Sequence, residues 1–380
     1  MATSDRAKKI HALVQDMKLE HVLAAPQEVE SIKVENCVGY TKVPLGIAGP
    51  LKVSGPGVDG TLYAPLATQE ATLVASCSRG CKALSVAGVR FEVLSQGMSR
   101  APVFIFDNPE GAVLFSRGLP DILDEFGQWS ASTGRFVRLQ STKIHILGSQ
   151  VHLYCNFHCG AAAGQNMVTK AVNHACHQLL NSYGAKYGIK DWFIDGQMSS
   201  DKKPSWGNVK APRGVEAMAW GSITNEKSVE ILGCTTERLY QFLITITNAG
   251  IRNGQFGSNA NTANIVAAMF IATGQDAASV GEASWSQLTP EYNRETKVLT
   301  LSLYFSSLPV ATIGGGTGNA TQKEALRVLH CDGPEHKEKL AGLVASFALA
   351  LEISTVAALS NGTFSDSHMR LARGEVIPKL

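Results

Sequence analysis

The feature that most constrains this 380-residue chain is a change of hydrophobic period in its middle. Between Ala101 and Asp195, short apolar or alternating runs take turns with runs of helical spacing. "APVFIF" reads as a strand, Pro109 to Trp129 mostly as helix, "RFVRLQSTKIHIL" as a strand, and "QVHLYCNF" as its hairpin partner across Gly148-Ser149. From Gln165 to about Tyr183, Val168, Val172, Ala175 and Leu179 recur at helical spacing, and "DWFI" closes the unit as a strand. The order βαββαβ is the ferredoxin-like one. The Gly- and Ala-rich sequence on both sides reads as mostly helical. The expected class is therefore α+β: a large, mostly helical domain (residues 1–101 and 194–355) interrupted by a small ferredoxin-like domain (residues 102–193).

Further elements fit that division. Ile10, Leu13, Val14 and Met17 make an apolar stripe in a helix expected over residues 1 to 30. Thr68 to Leu84 reads as a long helix capped by Thr68, with Glu70 in its first turn. "LVASFALALEISTVAALS" is the most apolar stretch, but Glu352 and several serines in it point to a buried helix and not a membrane span. The 34 basic and 32 acidic residues are dispersed, giving a net charge of +2 and no basic surface for nucleic acid. Eight irregularly spaced cysteines read as free thiols in a reducing compartment, hence a cytoplasmic expectation. The ending Pro378-Lys379-Leu380 is close to a peroxisomal address.

Several polar stretches can carry chemistry, and each has a plainer reading. Glu70 at a helix start is ordinarily a solvated or capping acid. Asp276 follows the apolar run Ile265 to Ile271 and precedes two alanines, the setting of a buried carboxylate that needs a cation, and the adjacent Lys202 and Lys203 supply candidates. The run "ATIGGGTGNAT" lacks the third glycine of G-x-G-x-x-G, so it is not a Rossmann fingerprint; it is either a close backbone approach to a phosphate or flat ring, or a tight turn. "CGAAAGQN" opens a helix and is either an anion site or a strand-to-helix turn. The His174, Cys176 and His177 cluster lacks metal-ligand spacing, and no metal is expected.

Taken in order, "ENCVGYTKVPLGIAGPL", "ATQEATLVASCSRGCKAL", "SSDKKP", "TGQDAA", "TIGGGTG" and "SHM" resemble the catalytic portion, class I-like, of the 3-hydroxy-3-methylglutaryl-CoA reductase family over about residues 5 to 373. The resemblance implies a homodimer or dimer of dimers, with NADPH as cofactor and an acyl thioester as substrate, reduced through an aldehyde to a primary alcohol. It makes Glu70, Lys202, Asp276 and His368 catalytic: Lys202 for the oxyanion, Asp276 as the carboxylate coupled to it, Glu70 as proton donor to the aldehyde oxygen, and His368 as acid for the departing thiolate. Arg135 and Phe136, Gly164 and Asn166, Gly314, Gly315, Gly316 and Thr317, and Arg373 fall where the family binds NADPH. Arg100, Asp195, Asp201, Lys203, Asn264, Ser76 and Arg79 fall on the substrate side. Residues 356–380 become a flap that carries His368.

The departures from the family pattern gather at recognition. Asp195 stands where the family has a serine against the substrate carboxylate, and the family's lysine near Ile244 to Asn248 is missing. Gly233 and Ser78 replace a lysine and an asparagine on the CoA side, and Ala161 replaces an acid in the cofactor motif. The family default is conversion of HMG-CoA to mevalonate. The altered clamp suggests an alternative, the same chemistry on a CoA- or carrier-protein-bound thioester without a free carboxylate; a non-catalytic binding relative is the third reading.

Overall fold

The computed structural model describes Val14, Met17, residues 19–30 and residues 32–365. Most of the helix expected over residues 1 to 30 lies outside the described residues, as do His368 and Arg373. The chain is α+β, but its outer part is not mostly helical: six strands of a 10-stranded sheet lie in it. β1 (Leu45–Gly55) and β2 (Val58–Ala67) form an antiparallel hairpin. α1 (Leu73–Leu84) then crosses over to β3 (Val89–Arg100), which pairs parallel to β1 at Val53 and Val89. α1 begins at Leu73 and not at Thr68: Thr72, with φ 80°, stands at the helix entry, so Glu70 lies in the turn before the helix.

The middle unit follows the sequence closely. β4 (Val103–Ile105) leads to α2 (Pro109–Gly118), a 3-10 turn around Pro120, and α3 (Leu123–Ala131). The proline splits what reads as one helix, because it has no N–H for the helical ladder. β5 (Arg138–Leu147) and β6 (Gln150–His158) form the expected hairpin, followed by α4 (Gln165–Leu179) and β7 (Asp191–Phe193). The strand order here is β7-β4-β6, with β5 on the other side of β6.

After α5 (Trp206–Lys210) come β8 (Gly214–Ile223), α6 (Thr236–Arg252), α7 (Thr262–Thr273), β9 (Ser286–Asn293) and β10 (Val298–Leu308). α8 (Ala320–Val328) and α9 (Lys337–Ser360) complete the described chain. β10 pairs with both β8 and β9, and β8 pairs with β3. The strands β3, β8, β9 and β10 lie in what the sequence suggested was helical territory. Leu299, Leu301, Leu303 and Phe305 of β10 alternate into the core at period two.

There are two main cores. One gathers α1, α7 and α9 against β1, β2, β8 and β10; the other lies inside the middle unit around Phe104, Phe115, Phe126 and Phe157. α9 is long and apolar enough to cross a bilayer, yet it is buried from Lys339 to Ala358. α1 approaches α9 closely at Gly80, where an added Cβ would sit 1.6 Å from the Ala350 carbonyl oxygen; Gly80→Ala therefore forces the helices apart. All eight cysteines are unpaired.

Candidate functional site

The loop that follows β7 is held in place by charge. In it Gln197 (φ 69°), Ser200 (φ 49°) and Lys202 (φ 61°) adopt left-handed backbone, which costs non-glycine residues energy and persists only where surroundings impose it. Asn208 imposes part of it by donating to the carbonyls of Ser200 (3.3 Å) and Lys203 (3.1 Å). The rest comes from carboxylates. Asp195 accepts from Ser199 Oγ (2.5 Å) and the Gln197 amide (2.6 Å), and it pairs with Arg100 at 3.2 Å. Arg100 also reaches Asp201 at 3.4 Å, and Asp201 pairs in turn with Arg213. Arg213 is fully buried and contacts Glu282, equally buried, at 3.0 Å.

This series alternates acid and base from Asp195 through Arg100, Asp201 and Arg213 to Glu282. Burial pushes the Asp201 carboxyl up, but Arg213 chiefly, then Arg100 and Lys202, bring it below its ordinary value. Burial dominates at Glu282 and raises it to about 7 despite Arg213. Sequence reading missed Arg213 and Glu282, and no local motif marks either: their meaning comes from a contact between separate elements.

At the exposed end of the same loop, Lys202 Nζ lies 3.1 Å from Asp276 Oδ2. Asp276 also accepts from the Ala278 amide at 3.1 Å, which fixes its side chain at the entry of a short 3-10 turn. The pairing expected of these residues is present, but burial is not: their side chains are 44% and 37% exposed. Lys203 points its ammonium back to the Asp201 carbonyl at 3.2 Å. Glu70 is exposed, its amide bonded to Thr68 Oγ1 at 3.0 Å. Among the described residues no hydrogen bond or ion pair joins it to Lys202 or Asp276.

Asp276 also lines a cleft of about 560 Å³. One wall is the turn into α4, with Ala162, Ala163, Gly164 and Asn166; the other is Gly314, Gly315 and Gly316. One backbone bond ties the walls, from the Thr312 amide to the Ala161 carbonyl at 3.2 Å; within the glycine wall, Thr317 Oγ1 donates to the Gly314 carbonyl at 2.7 Å. Gln275 clamps Ala311 through both backbone atoms, at 2.9 and 2.7 Å. Gly274 (φ 73°) ends α7 directly against Gly316, where an added Cβ would lie 2.4 Å from a backbone carbon. Phe136 flanks the cleft-forming turn, 3.5 Å from where a Cβ of Gly160 would stand, with the Arg135 guanidinium 5.2 Å from its ring.

A second cleft, about 660 Å³, is lined by Ser78, Arg79 and Lys82 of α1 with Gly49 and Glu230. Arg79 bonds the Ser354 hydroxyl (2.9 Å) and carbonyl (2.6 Å), and Ser76 bonds the same hydroxyl at 2.9 Å. Asn264 lies half-buried in the first turn of α7. That helix start is held by Glu352, wholly buried, which accepts the amides of Ala260 and Asn261 at 2.7 Å.

The sequence family described as hydroxymethylglutaryl-coenzyme A reductase matches residues 2–373. The chain is 35% identical to the 3-hydroxy-3-methylglutaryl-coenzyme A reductase of Aeropyrum pernix, covering 96% of this chain and 90% of that protein. It is 36% identical to the Halobacterium salinarum reductase over 90% of this chain and 84% of its relative. The solved class II reductase from Streptococcus pneumoniae, bound to NADPH in open conformations, superposes with a TM-score of 0.71 at 17% identity, over 97% of this chain and 89% of its own. The chain belongs to the hydroxymethylglutaryl-coenzyme A reductase family.

Proposed function

We propose that this protein is an NADPH-dependent oxidoreductase that reduces 3-hydroxy-3-methylglutaryl-CoA through an aldehyde to mevalonate. The observation that carries the reading is the place of Asp276: it is ion-paired to Lys202 and also lines the glycine-walled cleft, so the charged loop and the cofactor space meet at one side chain. The cleft suits a dinucleotide, because glycine backbone permits close approach to a flat ring and the start of α4 offers free N–H groups to phosphate. NADPH, when bound, supplies the hydride in each of two reductions. Arg135, beside the turn, is placed for the 2′-phosphate, and Arg373 adds a second cation.

The chain's own residues do the rest. Negative charge develops on the carbonyl oxygen as hydride adds, and the Lys202 ammonium, oriented by Asp276, stabilises it. Glu70 donates the proton to the aldehyde oxygen, and His368 protonates the thiolate of CoA so that the thiohemiacetal collapses forward. Arg79 borders the cleft along α1 that takes the CoA arm, with Ser76 behind it on the same Ser354 hydroxyl; Asn264, Asp201 and Lys203 are assigned to the acyl group.

Asp195 now weighs against a carboxylate-free substrate. Its charge is matched by Arg100 and its oxygens are bonded to Ser199 and Gln197, so it is not left free to repel a substrate carboxylate or to attract a cation. The relatives, named as reductases of 3-hydroxy-3-methylglutaryl-coenzyme A, point the same way. Oxidation of NADPH on addition of HMG-CoA, followed at 340 nm, tests the function. No turnover with HMG-CoA, but turnover with another acyl thioester, would reinstate the alternative.

Residues 102–193 are read as a ferredoxin-like nucleotide domain, a division supported by their strand order and separate core. Residues 1–101 with 194–355 form the substrate domain; of residues 356–380, read as the flap, Val356 to Ser360 instead complete the core helix α9. Exposed Tyr40, Leu45, Ile47 and Tyr63 cluster on the hairpin side and support a homodimer contact there, which Ile47→Asp should weaken in sedimentation velocity. A cytoplasmic location is the working assignment, with the peroxisome as the address implied by Pro378-Lys379-Leu380.

A further inference from the structure

Lys337 is a buried ammonium far in sequence from every motif discussed above. It opens α9, is 6% exposed, and donates to the carbonyls of Gly160 (3.1 Å) and Ala162 (2.9 Å). Those carbonyls belong to the turn between β6 and α4 that forms one wall of the glycine cleft. In a trans peptide the C=O and the next N–H point in opposite directions. Turning both carbonyls toward Lys337 therefore turns the amides of Ala161 and Ala163 away from it, and Ala163 lines the cleft. Among the described residues no hydrogen bond uses either amide. The Ala161 carbonyl, between the two held by Lys337, accepts the Thr312 amide from the opposite wall.

We propose that Lys337 is a positioning residue for the cofactor: it fixes the turn at Gly160 to Gly164 so that the amides of Ala161 and Ala163 are presented to bound NADPH. The proposal rests on the reading of this cleft as the nucleotide site. A buried cation is costly unless its donors are satisfied, and two carbonyls of the same turn satisfy it here. Burial lowers the Lys337 pKa, and Cys159 and Glu338 oppose that change. Ala161, where the family carries an acid, leaves backbone as the only means of recognition at that position. Lys337 sets where that backbone points.

Lys339 provides a matched control. It is 8% exposed on the same helix, but its ammonium bonds the His330 carbonyl at 2.9 Å, outside the cleft. Full-length wild type, Lys337→Met and Lys339→Met are titrated with NADPH by nicotinamide fluorescence, with melting temperatures recorded. Lys337→Met is expected to weaken NADPH by about 10- to 100-fold, the range for lost hydrogen bonds to a charged group, while Lys339→Met lowers the melting temperature without changing NADPH affinity. If Lys337→Met does not fold, Lys337→Gln is read in the same titration. Unchanged affinity in the folded Lys337 variant, or equal loss in both variants, overturns the proposal. Wild type that binds no NADPH overturns the reading of the cleft, and the proposal with it.

Discussion

The loop from Ile194 to Ser205 and the cleft between Gly164 and Gly316 meet at Asp276, but they are built by different means. The loop is fixed by side-chain charge: Asp195, Arg100, Asp201, Arg213 and Glu282 run from partly to fully buried, and every member pairs with the next. The cleft is fixed by backbone, with glycines too close for a Cβ and with Gln275, Thr317 and Lys337 bonding only main-chain or local groups. A charge network holds one geometry firmly but depends on pH and on each partner. A backbone-built wall is sensitive to single methyl groups. On the proposed function, the loop presents an ammonium to a reacting oxygen, whereas the cleft admits a large ligand at close range.

The difference makes the two halves separable by mutation. Arg213→Met should have the largest effect, about 3–5 kcal/mol of stability, because it leaves Asp201 and Glu282 without their shared cation; chemical denaturation reads it. Lys202→Ala should lower kcat by about 10²–10³-fold with NADPH affinity unchanged. A parallel fall in NADPH affinity would mean that loop and cleft are not independent. Gly274→Ala, forced against Gly316, should weaken NADPH by about tenfold or more, whereas Gly188→Ala, outside the cleft and facing open space, should cost only the left-handed backbone penalty of about 1–2 kcal/mol.

The smallest effect is on pH. Glu282 is raised in the fold from 4.5 to about 7, so its contribution is fully present below about pH 4.5 and is lost as the pH rises through about 7. Asp201 has the opposite sign: its pKa is lowered, and its contribution is lost as the pH falls through that lowered value. Glu282→Gln should therefore flatten stability between pH 5 and 8 by on the order of 1 kcal/mol, and a profile parallel to wild type would remove Glu282 from the titration.

What could be read from the sequence followed the same divide. The middle unit was legible because each strand and helix there has a clean period, and Lys202 with Asp276 was legible because short motifs carry them. β8 was hidden because alanines and glycines dilute its alternation, though Val215, Ala217 and Ala219 are fully buried. β10 alternates clearly and was obscured by the Ala- and Gly-rich helices around it. The start of α1 was misplaced because Thr68 and Thr72 both fit a helix entry, and the sequence does not show that Thr72 has positive φ. Arg213, Glu282 and Lys337 act on groups brought near only by folding, so no window of sequence contains their partners.

β3 belongs to both halves of the molecule. Val89 to Gly97 pairs with β8 in the larger core, and Met98 to Arg100 pairs with β6 in the smaller one, so a single unbroken strand is spliced into both. Arg100, the residue that grips Asp195 and Asp201, is the last residue of that splice. The consequence is cooperative: neither core can melt at this seam without releasing the lysine loop. Amide exchange at Met98 to Arg100 should therefore report the opening of the whole protein and not of one half.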